Sequence, residues 1–414
     1  MIAIVGAGVA GLSAGEALRE MGYEGSVMVI GAEAAIPYER PTLSKRFLDK
    51  RNLASPPALR SPEELAEMDI ALELGVAVSA IDASPRTLRT TAGTQVKYDH
   101  LLLATGAAAR RLNLPGAELG GIHHLRELSE ARALRSDLRP GDRIVLVGGG
   151  VIGLEVAASA AARGLAVTVL ETAPQVMGRI VPASFAVLLQ ELHQARGVEI
   201  RTNVYPTGFE GSSGRVRQVM LDDDERIPAD VVVVGVGASP RTELAQRAGL
   251  LVDDGIVVDK FLRSSDERIF AAGDVARVWH AGVGRHIRIE QWQPAQVQGR
   301  HAAASMLGRG EPYQEVPWMW SDQHELHLQA TGFGFAGLDV IRRGSLDARS
   351  GVAFLGVRGG RLEAACGLSI GTGVARTIRA AQMLIGRGVR LDADLSDVDV
   401  DLHRLARAHA TSSR

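Results

Sequence analysis

Two short stretches carry glycines at the spacing that seats a dinucleotide pyrophosphate. One is "IVGAGVAGLSAG", with Gly6, Gly8 and Gly11, and the other is "LVGGGVIGLEVA", with Gly148, Gly150 and Gly153. In such a turn the first glycine makes the bend, the second lets backbone approach phosphate, and the third lets helix pack closely on strand. The amide hydrogens and positive dipole of the following helix then face the pyrophosphate. Ala10 in the first turn, and Val151 and Ile152 in the second, sit at the same helix starts and belong with the glycines. Two such turns in one chain predict two dinucleotides and a hydride passed between them, with the reacting rings about 3 to 3.5 Å apart.

Charged residues flank both turns. Glu171 ends "AVTVLE", where a carboxylate accepts hydrogen bonds from both ribose hydroxyls and repels a 2'-phosphate, so NADH is preferred over NADPH. Arg179 follows closely enough in sequence to soften that preference. After the first turn, Ala32 occupies the place of the usual ribose acid and Glu33 comes one residue later. Glu155 falls in the first turn of the second helix. An acid there gains about 0.3 to 1 kcal/mol from the helix dipole, but a neighbouring pyrophosphate disfavours a spare negative charge, so a specific partner is predicted. In "RPTLSK", Arg40 and Lys45 are cations placed to contact phosphate or a redox ring.

The elements that position these residues repeat. "IAIVG" is a strand, "LSAGEALREMG" a helix stopped at Gly22, and "SVMVIG" the next strand; "RIVLVGGG", "IGLEVAASAAARG" and "AVTVLE" run in the same order. "HLLLATGAAARRL" and "ADVVVVGVGASPRTELAQRAGL" are strands ending in Gly-containing crossings, and "RIFAAGDVA" returns the chain to the first domain, making the second unit an insertion. From about Pro317, alternating strands, a "GG" hairpin turn and a helix from Thr377 towards Leu384 predict an α+β module.

With 414 residues, of which 46% are apolar and 23% charged, the chain is long enough for about three domains with sizeable cores. Its formal charge of -2 gives no global attraction to nucleic acid or an anionic membrane. Cys366 is the single cysteine, which excludes an intramolecular disulfide relay and cysteine-based zinc or iron-sulfur sites, and no metal site is expected. The apolar start lacks the basic region of a signal peptide, and no run of about 20 apolar residues follows. A soluble cytoplasmic protein is predicted.

The ordered set "IVGAGVAG", "PYERPTLSK", "LLLATG", "LVGGGVIGLE", "VVVVGVGASP", "IFAAGDVA", "RIEQWQPAQVQG" and "PWMWSDQ" resembles the glutathione-reductase-fold flavoproteins. It is most similar to the FAD-dependent NADH-ferredoxin reductases of oxygenase and cytochrome P450 systems, of the putidaredoxin reductase type. The resemblance spans nearly the whole chain. It implies an α/β fold of two Rossmann-like domains plus a C-terminal α+β domain. The implied parts are residues 1–107 and 242–316 for FAD, 108–241 for an inserted NAD(H) domain, and 317–414 for an interface domain.

By that similarity the first turn binds FAD, with Glu33 as the substitute ribose contact, Arg40 and Lys45 near the flavin, Val78 near the adenine, and Ala104, Thr105 and Gly106 in the exit crossing. Asp274, beside Gly273, takes the ribityl or pyrophosphate region. Trp292 and Trp320 lie by the isoalloxazine, and Arg126 and Glu290 join the cofactor contacts. The second turn binds NADH, with Glu155 near the nicotinamide and paired with Lys45, Glu171 on the ribose, and Arg179 and Gly237 nearby. Lys45 and Glu155 are the implied catalytic residues. Thr42 and Gln291 depart from the family pattern, as does "CGLSIGTGVARTIR".

The implied acceptor is a small acidic [2Fe-2S] ferredoxin that takes electrons singly and serves an oxygenase or cytochrome P450. Arg342 and Arg343 are candidate docking residues. A monomer or weak homodimer is expected, with no nucleic-acid or membrane partner. Two other readings stay open at this point: an NADH oxidase or other NADH-dependent flavin reductase, and an NADH-responsive redox-sensing flavoprotein.

Overall fold

The computed structural model describes residues 1–49, 53–347 and 350–408. Strands built from runs such as "IAIV", "RIVLV" and "VVVV" are apolar on both faces, which suits parallel sheets covered by helices on either side. The chain forms two compact units.

The first unit comprises residues 1–39, 56–108 and 238–317. Its centre is a parallel sheet in the order Ile269–Ala271, His100–Leu103, Ile2–Val5, Val27–Gly31 and Ile70–Leu74. The strand Ile269–Ala271 lies beside His100–Leu103 although the whole of the second glycine unit separates them in sequence. That pairing returns the chain to the first sheet after the segment that carries the second glycine turn. Ile2, Ile4, Val29, Leu101, Leu102 and Phe270 fill the core. The helices Val9–Glu20 and Trp292–Met306 pack together, and two three-stranded sheets complete the unit.

The second unit comprises residues 40–55, 109–237 and 318–414. Its parallel sheet runs Val198–Thr202, Ala166–Glu171, Arg143–Val147, Val231–Val234 and Ile122–His123. The C-terminal part is an antiparallel sheet in the order Trp318–Gln323, Leu326–Gly332, Arg361–Ile370, Val352–Arg358 and Asp339–Gly344. Gly359 and Gly360, both at positive φ, close the hairpin between its last two strands in sequence, as a two-residue primed turn requires. The helix Ala375–Arg387 lays Ile378, Ala381 and Leu384 on that sheet and ends at left-handed Gly388.

Candidate functional site

In the first unit the strand Ile2–Val5 enters the glycine turn at Gly6, whose φ of +119° suits glycine alone. A Cβ there would stand 2.1 Å from the carbonyl oxygen of Ala104, and one on Gly11 would stand 2.0 Å from that of Gly6. Gly8 differs. It caps the helix Val9–Glu20 without a side-chain hydrogen bond, the helix has no acid in its first turn, and a Cβ on Gly8 would meet no described protein atom within 4 Å. Two glycines thus hold the turn closed, while the third leaves space in front of the helix amides.

Around this turn, Ala10 packs its backbone against Gly299 of the helix Trp292–Met306. Gly273 approaches the Ala10 side chain and leads into Asp274, which is buried. Thr105 Oγ1 donates to the Arg241 carbonyl at 2.9 Å, and the Gly106 carbonyl accepts from the Arg241 amide at 3.0 Å, fixing the exit crossing. Glu33 accepts from the Tyr38 hydroxyl at 2.8 Å. The Val78 side chain belongs to the apolar core, and its strand pairs it with Thr90. The Glu290 carboxylate is ion-paired with Arg288, and Trp292 begins its helix.

The second unit repeats the construction. Gly148, at φ +112°, would place a Cβ 2.5 Å from the Gly235 carbonyl oxygen, and Gly153 would place one 2.1 Å from that of Gly148. Gly150 again caps the helix, Val151–Ala162, with open space before it. Ile152 is exposed on the first turn and Val151 is half-buried. Glu171 is held by two backbone amides, Gly149 to Oε2 at 2.7 Å and Ala173 to Oε1 at 2.9 Å. Oε1 also accepts from the Thr172 hydroxyl at 3.4 Å, while Oε2 has a further lone pair for a ribose hydroxyl. Arg179 is exposed on the following loop, and Gly237 has a φ of +107°.

The same unit contains a buried charged cluster. Glu155, 4% exposed, faces Lys45, whose Nζ is 3.2 Å from Oε1. Ser321 Oγ donates to Oε1 at 2.6 Å, and Ser44 Oγ donates to Oε2. The Ser44 carbonyl in turn accepts from Ser159 Oγ at 2.9 Å, tying the "RPTLSK" segment to the helix that carries Glu155. Burial pushes the Glu155 carboxyl above its usual range, opposed by Lys45 and the two hydroxyls. Lys45 also lies 3.8 Å from Asp322 Oδ2 and 5.3 Å from the Trp320 ring centroid. Trp320 stacks with Trp318 at 5.5 Å and 23°. A hydrogen bond from His327 holds the Asp322 carboxyl below its usual range. Arg40 donates to the Arg126 carbonyl at 2.8 Å.

The structure therefore brings Arg40 to Arg126, and Lys45 to Glu155 and Trp320, within one unit. The turn at Gly6, Asp274 and Trp292 belong to the other. Ser44, Ser321, Gln323 and His193 escaped the sequence reading as site residues. For Ser321 and Gln323 the signal was present in "WMWSDQ": along a strand that alternates inward and outward, the two share the buried side with Met319. Polar residues on an inward face need partners there.

Arg343 requires a correction. Its guanidinium donates to the carbonyls of Leu395, Asp397, Val398 and Val400, so these donors tie down the C-terminal segment rather than face a partner. Arg342 is exposed. Cys366 is fully buried in the strand Arg361–Ile370, and burial drives its thiol well above the ordinary range, which removes it from thiolate chemistry.

Both glycine turns fit a dinucleotide: each presents free helix amides to a space that any side chain would fill. Among the described residues, no group of three or more His, Cys, Asp or Glu could hold a metal ion, and no helix is long and apolar enough to cross a membrane.

Comparison with known proteins agrees with this construction. Residues 1–299 match the pyridine nucleotide-disulphide oxidoreductase family, and residues 318–406 match the reductase C-terminal family. The chain is 40% identical over 402 residues to the ferredoxin–NAD(+) reductase component of the anthranilate 1,2-dioxygenase system of Burkholderia cepacia, covering 96% of this chain and 97% of that protein. The ferredoxin reductase for the CYP199A2 system of Rhodopseudomonas palustris superposes with a TM-score of 0.93 at 34% identity, covering 98% of this chain and 99% of that one. Putidaredoxin reductase in its covalent complex with putidaredoxin gives 0.92 at 34% identity, covering 100% and 99%. The chain belongs to the pyridine nucleotide-disulphide oxidoreductase family and has the glutathione-reductase fold of its ferredoxin reductases, completed by a reductase C-terminal domain.

Proposed function

We propose that this chain is an FAD-dependent NADH:ferredoxin reductase, taking electrons from NADH in pairs and passing them singly to a [2Fe-2S] ferredoxin that serves an oxygenase or cytochrome P450. The observation that carries this reading is the presence of two separate open-fronted glycine turns, one in each unit, in a chain similar over its length to reductase components of dioxygenase systems. FAD, when bound, supplies the conversion between two-electron and one-electron chemistry that neither partner can perform.

In this reading residues 1–107 and 242–316 form the FAD domain, 108–241 the NADH domain and 317–414 the interface domain. Gly6, Gly8, Ala10 and Gly11 receive the FAD pyrophosphate on the helix Val9–Glu20, and Asp274 takes the adjoining hydroxyls. Gly148, Gly150, Val151, Ile152 and Gly153 do the same for NADH, while Glu171, pre-oriented by two amides, binds the adenosine ribose. Glu155 and Lys45 serve the nicotinamide end. Their fixed charges orient the redox group without reorganisation and oppose the build-up of unbalanced charge.

Single-electron delivery to a one-electron partner separates this function from an oxidase. Under anaerobic conditions, NADH with catalytic amounts of this protein should reduce a stoichiometric excess of a [2Fe-2S] ferredoxin through many turnovers. Reduction of bound flavin without onward reduction of any ferredoxin would contradict the reading. Cys366 supports the same choice, because its buried thiol is unfit to serve as the reactive cysteine of a thiol-dependent oxidase or peroxidase.

A further inference from the structure

Behind Glu155 runs a chain of hydrogen bonds that leads away from the glycine turn. Ser321 Oγ lies 2.6 Å from Glu155 Oε1, Gln323 Nε2 lies 3.0 Å from Ser321 Oγ, and His193 Nε2 lies 2.8 Å from Gln323 Oε1. His193 Nδ1 is 3.3 Å from His324 Nε2, where the chain meets a half-exposed ring. Glu155, Ser321, Gln323 and His193 are all buried, between 0% and 4% exposed. All belong to the second unit.

Each member has a fixed capacity, and that capacity gives the chain a direction. An ionised Glu155 only accepts, so the single Ser321 hydroxyl proton goes to it. Ser321 must then accept from the Gln323 amide nitrogen, which turns the amide oxygen toward His193. A neutral His193 must carry its proton on Nε2, leaving Nδ1 to accept from His324. A proton on Glu155 Oε1 reverses every bond, so that Glu155 donates to Ser321, Ser321 to a flipped Gln323 oxygen, and the Gln323 amide NH2 to His193, whereas a proton on Oε2 meets Ser44 Oγ and leaves the chain as it is. The proton Glu155 gains comes from solvent, while the two imidazoles only exchange tautomers. An ionised Glu155 therefore fixes His193 as the Nε2–H tautomer.

We propose that Ser321, Gln323 and His193 are positioning residues that hold Glu155 as a carboxylate against Lys45, and that His193 thereby sets the acidic limit of flavin reduction by NADH. The need is physical. Burial opposes the Glu155 charge, and the Lys45 ammonium is shared with Asp322, so an oriented donor from behind secures the ionised form. The groups facing Glu155 are Lys45, Ser44 and Ser321; those facing His193 are Gln323, His324 and Arg196, with Arg196 ion-paired to Glu325. Burial holds the His193 imidazole below its ordinary range, so it stays neutral and able to switch tautomer.

The kinetic half of this inference rests on the reductase reading; the structural half does not. In the flavin-loaded protein labelled with 15N-histidine, His193 should show the Nε2–H tautomer at neutral pH, the form that an ionised Glu155 imposes through Ser321 and Gln323. His193→Gln retains a donor in the Nε2 position and should keep the wild-type pH profile of flavin reduction. His193→Phe removes it and frees the Gln323 amide to turn, and the acid limb should move up, by less than the roughly one pH unit that loss of the Ser321–Glu155 bond itself would cost. An Nδ1–H tautomer at neutral pH, or an acid limb unmoved in His193→Phe, overturns the proposal. Should His193→Phe fail to fold, the tautomer measurement on the wild-type protein decides. Absence of any wild-type flavin reduction by NADH would refute the reductase reading instead, leaving the tautomer to judge the chain.

Discussion

Lys45 Nζ stands 3.2 Å from Glu155 Oε1 inside the second unit, and two serine hydroxyls donate to the same carboxylate. Such a pair is costly to break from one side, because the group left behind is a buried charge without its counter-ion. Lys45→Met should lower the unfolding free energy by about 3 to 5 kcal/mol in urea titrations. Adding Glu155→Gln should restore part of that loss, with a coupling of about 0.5 to 3 kcal/mol. Additive losses would mean that the two charges do not depend on each other. Each single variant should also slow flavin reduction by NADH about tenfold or more, and unchanged rates in all three would remove the pair from the redox site.

The two kinds of glycine in each turn should separate by phenotype. A Cβ on Gly11 would collide with the Gly6 carbonyl, whereas one on Gly8 would meet only open space. Gly11→Ala should therefore lower the melting temperature of the protein. Gly8→Ala should fold with unaltered circular dichroism yet emerge colourless or easily stripped of flavin. Full yellow occupancy in Gly8→Ala would show that the space before the helix Val9–Glu20 is not the phosphate seat.

The strand pattern explains how far the sequence could be read. Glycine turns announce themselves because their constraint is local: strand, bend and helix follow one another, and the inserted unit is legible because "RIFAAGDVA" repeats the apolar form of the first sheet. The place of Glu171 at a strand end is legible for the same reason. The partners of Glu155 are not local. Ser44, Ser321 and His193 arrive from segments far apart in sequence, and only the fold shows that they converge or face the same chain of hydrogen bonds. Arg343 misled because an arginine on an edge strand looks solvated until the later segment whose carbonyls it binds is folded over it.

That correction yields its own test. Arg343→Ala should destabilise the protein by about 1 to 3 kcal/mol, the scale of leaving carbonyls without their charged donor, and should leave the salt dependence of ferredoxin reduction unchanged. Arg342→Ala, at an exposed position, should leave stability within about 0.5 kcal/mol of wild type. If ferredoxin docks on this edge, Arg342→Ala should also slow its reduction at low ionic strength, with the difference fading as salt rises. A rate indifferent to ionic strength in the wild-type protein would argue against electrostatic docking.

Glu171 should govern nucleotide choice. Its two amide hydrogen bonds aim the carboxylate before any ligand arrives. Glu171→Ala should reduce the ratio of kcat/KM for NADH over NADPH by about tenfold, through loss of ribose contacts and relief of repulsion toward a 2'-phosphate. An unaltered ratio would place nucleotide discrimination elsewhere.

His324 supplies a pH dependence with a definite sign. Burial, together with His193 and Arg196, depresses its imidazole from an ordinary 6.5 to about 4. Its folded pKa lies below its unfolded value, so it contributes stability above the unfolded pKa and loses that contribution as pH falls through about 4. His324→Gln should flatten the decline in melting temperature between roughly pH 6.5 and 4. An identical decline in the variant would assign the acid sensitivity to other groups.

The most direct test is an anaerobic titration of the purified protein with NADH, followed by mixing with oxidised [2Fe-2S] ferredoxin in a stopped-flow spectrometer. The account predicts that the protein is yellow, that one equivalent of NADH bleaches its flavin, and that ferredoxin then restores the yellow form at two ferredoxins reduced per NADH consumed. A colourless protein that takes up no FAD, or a flavin that stays oxidised in excess NADH, would contradict it.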